Sequence, residues 1–181
     1  MGRPKQPEAL RQSLLDHAIA LVLTQGLHGL TTDAVARAAG VSKGGLFHHF
    51  ASKPALVEAV AAEAVARMAQ AIDARLSPDP ARPGRFTRAY VGAVVEDTGS
   101  AWSLLSLLLL AEPSMQRLWD DWIAAQLELH AATDAGPDLA ILRLAADGIW
   151  LGQTAAMAQG LPRAALLDRL AHWLDRAAPE G

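Results

Sequence analysis

No stretch of this 181-residue chain alternates apolar and polar residues with the period of two that a β-strand requires. Apolar residues instead return every three or four positions, beginning with Leu10, Leu14, Leu15, Ala18, Leu21 and Val22. That spacing lines one face of a helix with 3.6 residues per turn. Proline and glycine punctuate the pattern. Pro7 suits a first helical turn and Gly26 an end, which puts the first helix at about 7–25. The same reading gives helices at about 33–39, 42–50, 53–76, 85–98, 101–111, 113–132, 138–159 and 162–177. "SPDPARPG", residues 77–84, is the clearest loop. The expected fold is therefore all-α, with about nine helices.

Composition narrows the function classes. Apolar residues make up 51% of the chain, enough for a sizeable core. There is no cysteine, which excludes disulfides and thiolate metal sites. No apolar run approaches the roughly 20 residues of a membrane span, and the polar N-terminus does not read as a signal peptide, so a soluble cytoplasmic protein is expected. Charge is unevenly spread. Residues 1–53 hold six Lys or Arg against three acids, a net +3, while the remainder holds ten against sixteen, a net −6. A basic head on an acidic body suits a head that meets a polyanion.

"GVSKGGLFHHF", residues 40–50, carries the chemistry. Only Gly40 and Val41 separate the helix at 33–39 from the next, and Ser42 is a good N-cap. Two short helices joined by a tight glycine turn match the helix-turn-helix. On a wheel at about 100° per residue, Leu46 and Phe50 define the buried side of the second helix. Gly44, Gly45 and His48 lie opposite, flanked by Phe47 and His49, with Lys43 at the helix start. Each glycine costs about 1 kcal/mol of helix stability against alanine. A bare face lets the helix N-terminus enter a major groove, where His48 meets a base edge. The competing reading is a glycine-rich turn whose helix-turn-helix is only structural, in a helical-bundle protein that binds ligands or other proteins.

Residues 29–60, "GLTTDAVARAAGVSKGGLFHHFASKPALVEAV", resemble the DNA-binding head of the TetR family of transcriptional regulators. The resemblance covers roughly residues 10–60. It implies a helix-turn-helix head over 1–52 and a ligand-binding and dimerisation body over 53–181. It also implies a dimeric repressor of double-stranded operator DNA, released by a small-molecule inducer of apolar or aromatic character. Within the head it implies that Thr32 caps the second helix and touches phosphate, and that Ser42, Lys43, Gly44 and Gly45 enter the groove. It assigns base or backbone contact to His48 and phosphate contacts to His49 and Lys53. The position of Phe47 is usually a tyrosine whose hydroxyl bonds a phosphate, a group that Phe47 lacks. The arm at residues 2–5 would lie along a minor groove.

In the body, the resemblance implies an inducer pocket among Phe86, Tyr90, Trp102, Leu105, Trp119 and Trp122, which composition alone reads only as core. A single helix-turn-helix covers one half-site, so a symmetric pair is needed. Leu142, Ile149, Gln153, Leu166, Leu170 and Trp173 on the last two helices are the expected dimer contacts. No glycine-rich nucleotide motif, metal-ligand spacing or nucleophile triad is present, so neither a cofactor, a metal nor enzymatic activity is expected.

Overall fold

Helices make up all the regular structure of the described residues, 5–152 and 162–178, in a computed structural model of the chain. They are α1 (Lys5–Gly29), α2 (Thr32–Ala38), α3 (Lys43–His49), α4 (Lys53–Asp73), α5 (Arg85–Asp97), α6 (Ala101–Leu109), α7 (Pro113–Leu129), α8 (Ala131–Asp134), α9 (Pro137–Leu151) and α10 (Arg163–Ala177). α1 is broken at Gly26, whose φ of 72° no helix accommodates, so its regular part ends where the sequence predicts. The helix expected at 113–132 divides instead. His130 turns the chain out of α7 into the single turn of α8, which makes ten helices rather than nine among the described residues. The end of the helix predicted to 159 lies outside them.

The chain packs as two compact units, Met1–Val65 with Leu104–Leu118, and Ala66–Ser103 with Trp119–Gly181. In the first unit, Leu14, Ala18 and Val22 of α1 meet a core that also takes Leu30, Val35, Leu46, Leu56 and Val60, all buried. Burying a side chain of this size stabilises by about 1.5–3 kcal/mol. In the second unit, α5 is the central element and packs on α9 and α10. Its Phe86, Tyr90 and Val94 join Leu139, Leu142 and Ala146 of α9 and Leu170 and Leu174 of α10 in one core.

The start of α5 is held in an unusual way. Gly84 occupies its N-cap position and has no side chain to cap with. Asp134, buried at the end of α8, supplies the acceptor instead. Its carboxylate takes the Phe86 amide at 3.0 Å and the Thr87 amide at 2.7 Å, and the Thr133 hydroxyl at 2.8 Å. The first amides of a helix have no intrahelical partner, so this contact closes an otherwise open end. It also sets the height of Phe86 and Tyr90 in the core.

Candidate nucleic-acid interface

The head is built from local signals. Thr31, not Thr32, caps α2: its hydroxyl accepts the Ala34 amide at 3.1 Å, and Thr32 is the first helical residue. The expected capping role moves by one position because the hydroxyl must reach the third residue of the helix. At the other end, the Val41 amide reaches Ala36 O at 2.9 Å and the Gly40 amide reaches Arg37 O at 3.2 Å. This pair of bonds is the Schellman arrangement, and it needs a left-handed residue, which Gly40 provides at φ 68°. The turn into α3 is thus set by one glycine. Ser42 then caps α3, its hydroxyl accepting the Gly45 amide at 3.1 Å.

α3 presents the face that the wheel predicts. Leu46 and Phe50 are buried, and the Arg11 guanidinium lies 5.2 Å above the Phe50 ring. Gly44 and His48 are exposed, Gly45 and His49 half-exposed, and Phe47 keeps 40% of its surface in solvent. The two histidine rings meet edge to face at 5.4 Å.

Neither glycine of α3 is demanded by the fold. Both have ordinary backbone angles. A Cβ at Gly44 would meet nothing nearer than the Ser42 hydroxyl at 3.9 Å. One at Gly45 would find the same oxygen at 3.5 Å and Val41 Cβ at 3.8 Å, both ordinary contacts. Alanine would fit and would favour the helix by about 1 kcal/mol at each site. The packing of this chain thus gives no reason for glycine at either position.

The charged residues divide. Lys53 is exposed at the first turn of α4, which is capped by Ser52, whose hydroxyl accepts the Ala55 amide at 3.2 Å. Lys43 is exposed too, but its Nζ lies 2.9 Å from the carboxylate of Asp33 on α2. Sequence reading missed both Ser52 and this ion pair. The first had a visible signal, a serine just before a helix that opens with Lys-Pro. The second joins residues ten apart across the turn and had none.

In the body, four of the six expected pocket residues come together. Trp119 and Trp122 meet at 5.1 Å with their rings tilted by 32°, Trp122 meets Phe86 at 6.2 Å, and Trp119 meets Tyr90 at 6.3 Å. Trp102 does not join these rings; the Arg67 guanidinium covers it at 5.1 Å. Leu105 is buried in the other unit. The polar edge of the cluster was not foreseen. The Tyr90 hydroxyl donates to Asp147 at 2.5 Å, and Arg143 donates to the Thr87 hydroxyl at 2.6 Å. Burial, reinforced by Asp147, pushes the Tyr90 phenol well above its ordinary range, so it stays a donor. Burial also raises Asp147, against the Tyr90 hydrogen bond and the Arg143 charge. His130 stacks on Phe86 at 5.3 Å, and burial, then the Arg85 charge, lowers its pKa.

The expected dimer residues fall on both sides of α9 and α10. Leu142 and Leu170 are core residues of their own subunit, and Ile149 and Leu166 are half-buried. Trp173 is exposed, and Gln153 lies outside the described residues, as do residues 2–4 of the arm. The apolar side chains that α9 leaves in solvent are Ile141, Leu144 and Leu151, one stripe with Gly148 between them.

Comparison with known proteins agrees with this geometry. The pattern for bacterial regulatory proteins of the tetR family matches residues 14–60, and that for the tetracyclin repressor-like C-terminal domain matches residues 84–175. The chain belongs to the TetR family. It is 30% identical over 185 residues to the HTH-type transcriptional regulator BetI of Escherichia coli O157:H7, covering 92% of this chain and 90% of that one. It is 33% identical to the HTH-type transcriptional repressor KstR2 of Mycolicibacterium smegmatis over 91 residues, 48% of this chain and 44% of that one. Among solved structures, the multidrug binding protein EbrR complexed with malachite green superposes with a TM-score of 0.72 at 25% identity, covering 98% of this chain and all of EbrR. The chain is accordingly a DNA-binding transcriptional regulator of that family. No helix among the described residues is long and apolar enough to cross a membrane.

Proposed function

We propose that this TetR-family regulator is a cytoplasmic homodimeric repressor whose operator grip is relieved by an apolar, aromatic small molecule. The observation that carries the DNA reading is the glycine pair of α3, which the fold does not require and a closely approaching groove does. Ser42, Lys43, Gly44, Gly45, Phe47, His48 and His49 form the groove surface, with Thr32 and Lys53 beside it on phosphate. The head is residues 1–52 and the body 53–181. The exposed stripe of Ile141, Leu144 and Leu151, with Trp173 of α10, supports a symmetric pairing of bodies. The inducer site is the ring cluster of Phe86, Tyr90, Trp119 and Trp122, with Asp147 and Arg143 as its polar groups. The chain acts by binding, without catalysis.

α4 starts four residues after α3 ends and runs on into the second unit, so it links the two functions. DNA holds two half-sites about 34 Å apart, so a ligand that favours another spacing weakens the grip by a coupling energy of about 1–3 kcal/mol. Reciprocity requires the operator to weaken ligand binding by the same factor. The test begins by selecting an operator from random DNA with purified protein. Malachite green, which EbrR binds, is then titrated with and without that operator, read by quenching of Trp119 and Trp122. The expected result is weaker dye binding on the operator. Failure to select any sequence would sink the repressor reading. Equal dye affinity in both titrations would sink the coupling.

A further inference from the structure

Lys43 opens α3, where the positive end of the helix dipole disfavours a cation. Asp33 sits in the first turn of α2, where the same dipole favours its charge. The two meet at 2.9 Å across the helix-turn-helix, with side chains 55% and 61% exposed. An exposed pair of this kind adds little to the stability of a fold. Its consequence for a polyanion is larger, because it cancels one of the few positive charges on the recognition surface.

We infer that Asp33 is a specificity-determining residue, acting as a positioning group for Lys43: it holds the ammonium against α2 so that only a phosphate arriving in register gains it. This rests on α3 being the DNA-reading helix. Non-specific DNA binding is driven by free cations that displace counterions, without fixed geometry. A lysine neutralised by its neighbour adds little to that attraction. An ammonium has three donors, so in a docked complex Lys43 keeps Asp33 and takes a phosphate as well. Asp33 thereby lowers affinity for arbitrary DNA while leaving operator affinity nearly intact.

The experiment compares the intact protein with Asp33→Asn, Lys43→Ala and the double variant. Each is titrated against a mixed-sequence duplex and against the operator recovered by selection, over a range of salt. Asparagine keeps the shape of an exposed side chain, and thermal melts report folding. On the mixed-sequence duplex, Asp33→Asn is expected to steepen the salt slope by about one unit and to tighten binding several-fold. Operator affinity changes much less, so the ratio of specific to non-specific binding falls. In the Lys43→Ala background the same change has no effect. An unchanged slope overturns the inference, as does an equal gain on operator and mixed-sequence DNA. Steepening that persists without Lys43 also overturns it, since Asp33 would then act as a bare charge. Failure of the intact protein to bind any DNA is a separate result, which would remove the recognition-helix reading along with the inference.

Discussion

Replacing Asp134 tests the claim that a carboxylate 47 residues away in sequence closes the start of α5. Asp134→Ala leaves the Phe86 and Thr87 amides buried without an acceptor. A buried unsatisfied donor costs about 1–3 kcal/mol, so two cost about 2–6 kcal/mol. The Thr133 hydroxyl adds little, because His130 O lies 3.3 Å away as a second acceptor. Asp134→Asn keeps one carbonyl oxygen and puts an amino group where the other oxygen was, so it forfeits one acceptor and about half the cost. For a chain of this size 1 kcal/mol moves the melting temperature by about 2–4 °C, so the middle of the range for alanine is a fall of roughly 8–16 °C. Thermal melts at one fixed protein concentration should show the native protein highest, asparagine between and alanine lowest. If both variants melt within about 1 °C of the native protein, the two amides find other acceptors and the capping argument fails.

Three further outcomes are expected. His48→Ala should relax base preference at one position of each half-site, costing about 1–3 kcal/mol there; an identical selected consensus would show that the imidazole reads no base. Leu144→Asp should convert the proposed dimer to a folded monomer, because Leu144 is 68% exposed in the single chain and a central apolar contact is worth about 2 kcal/mol or more in an interface; sedimentation showing an unchanged mass would place the interface elsewhere. His130 should make stability fall as the pH drops below its ordinary value of 6.5. Its folded pKa is depressed, so the unfolded chain takes the proton first and the lost stability appears on the acid side. His130→Phe, which can still stack on Phe86, should flatten the loss of stability as the pH falls below 6.5, and an unaltered slope there would clear His130 of the effect.

The helices were legible because apolar period and Pro/Gly punctuation are local, and so was the surface of α3, whose cap, turn and buried pair lie within eleven residues. The residues themselves offer Thr31 and Thr32 as caps; the resemblance puts the role on Thr32, one position past the observed cap, which is the ordinary uncertainty of helix ends. What was illegible depends on neighbours. α9 is apolar nearly all round: Leu139, Leu142, Ala146 and Ile149 share one side, Ile141, Leu144 and Leu151 the other. Periodicity finds both stripes and cannot say which of them α5 and α10 cover. Trp102 and Leu105 failed to join the ring cluster for the same reason, since large apolar groups on α6 do not reveal which partner helices they meet. Asp134 is an acid in the expected loop at 133–137, and nothing near it announces that its carboxylate serves a helix 47 residues upstream.

The unforced glycines of α3 carry a dynamic consequence. A helix of seven residues with two glycines side by side is held by its Ser42 cap, by buried Leu46 and Phe50, and by the exposed Lys43–Asp33 pair. Each glycine lowers its helix stability by about 1 kcal/mol against alanine, so its local opening free energy is expected to lie below that of the long helices. Amides of α3 should then exchange with solvent hydrogen faster than those in the middle of α1. In the proposed complex the groove would supply further restraint, so docking and ordering would become one event. Part of each contact energy is absorbed in quieting the helix, which holds affinity down for every DNA sequence. A reader that orders as it docks would let go of wrong sites quickly, and rapid release is what a protein needs when it searches a long polymer for a short address.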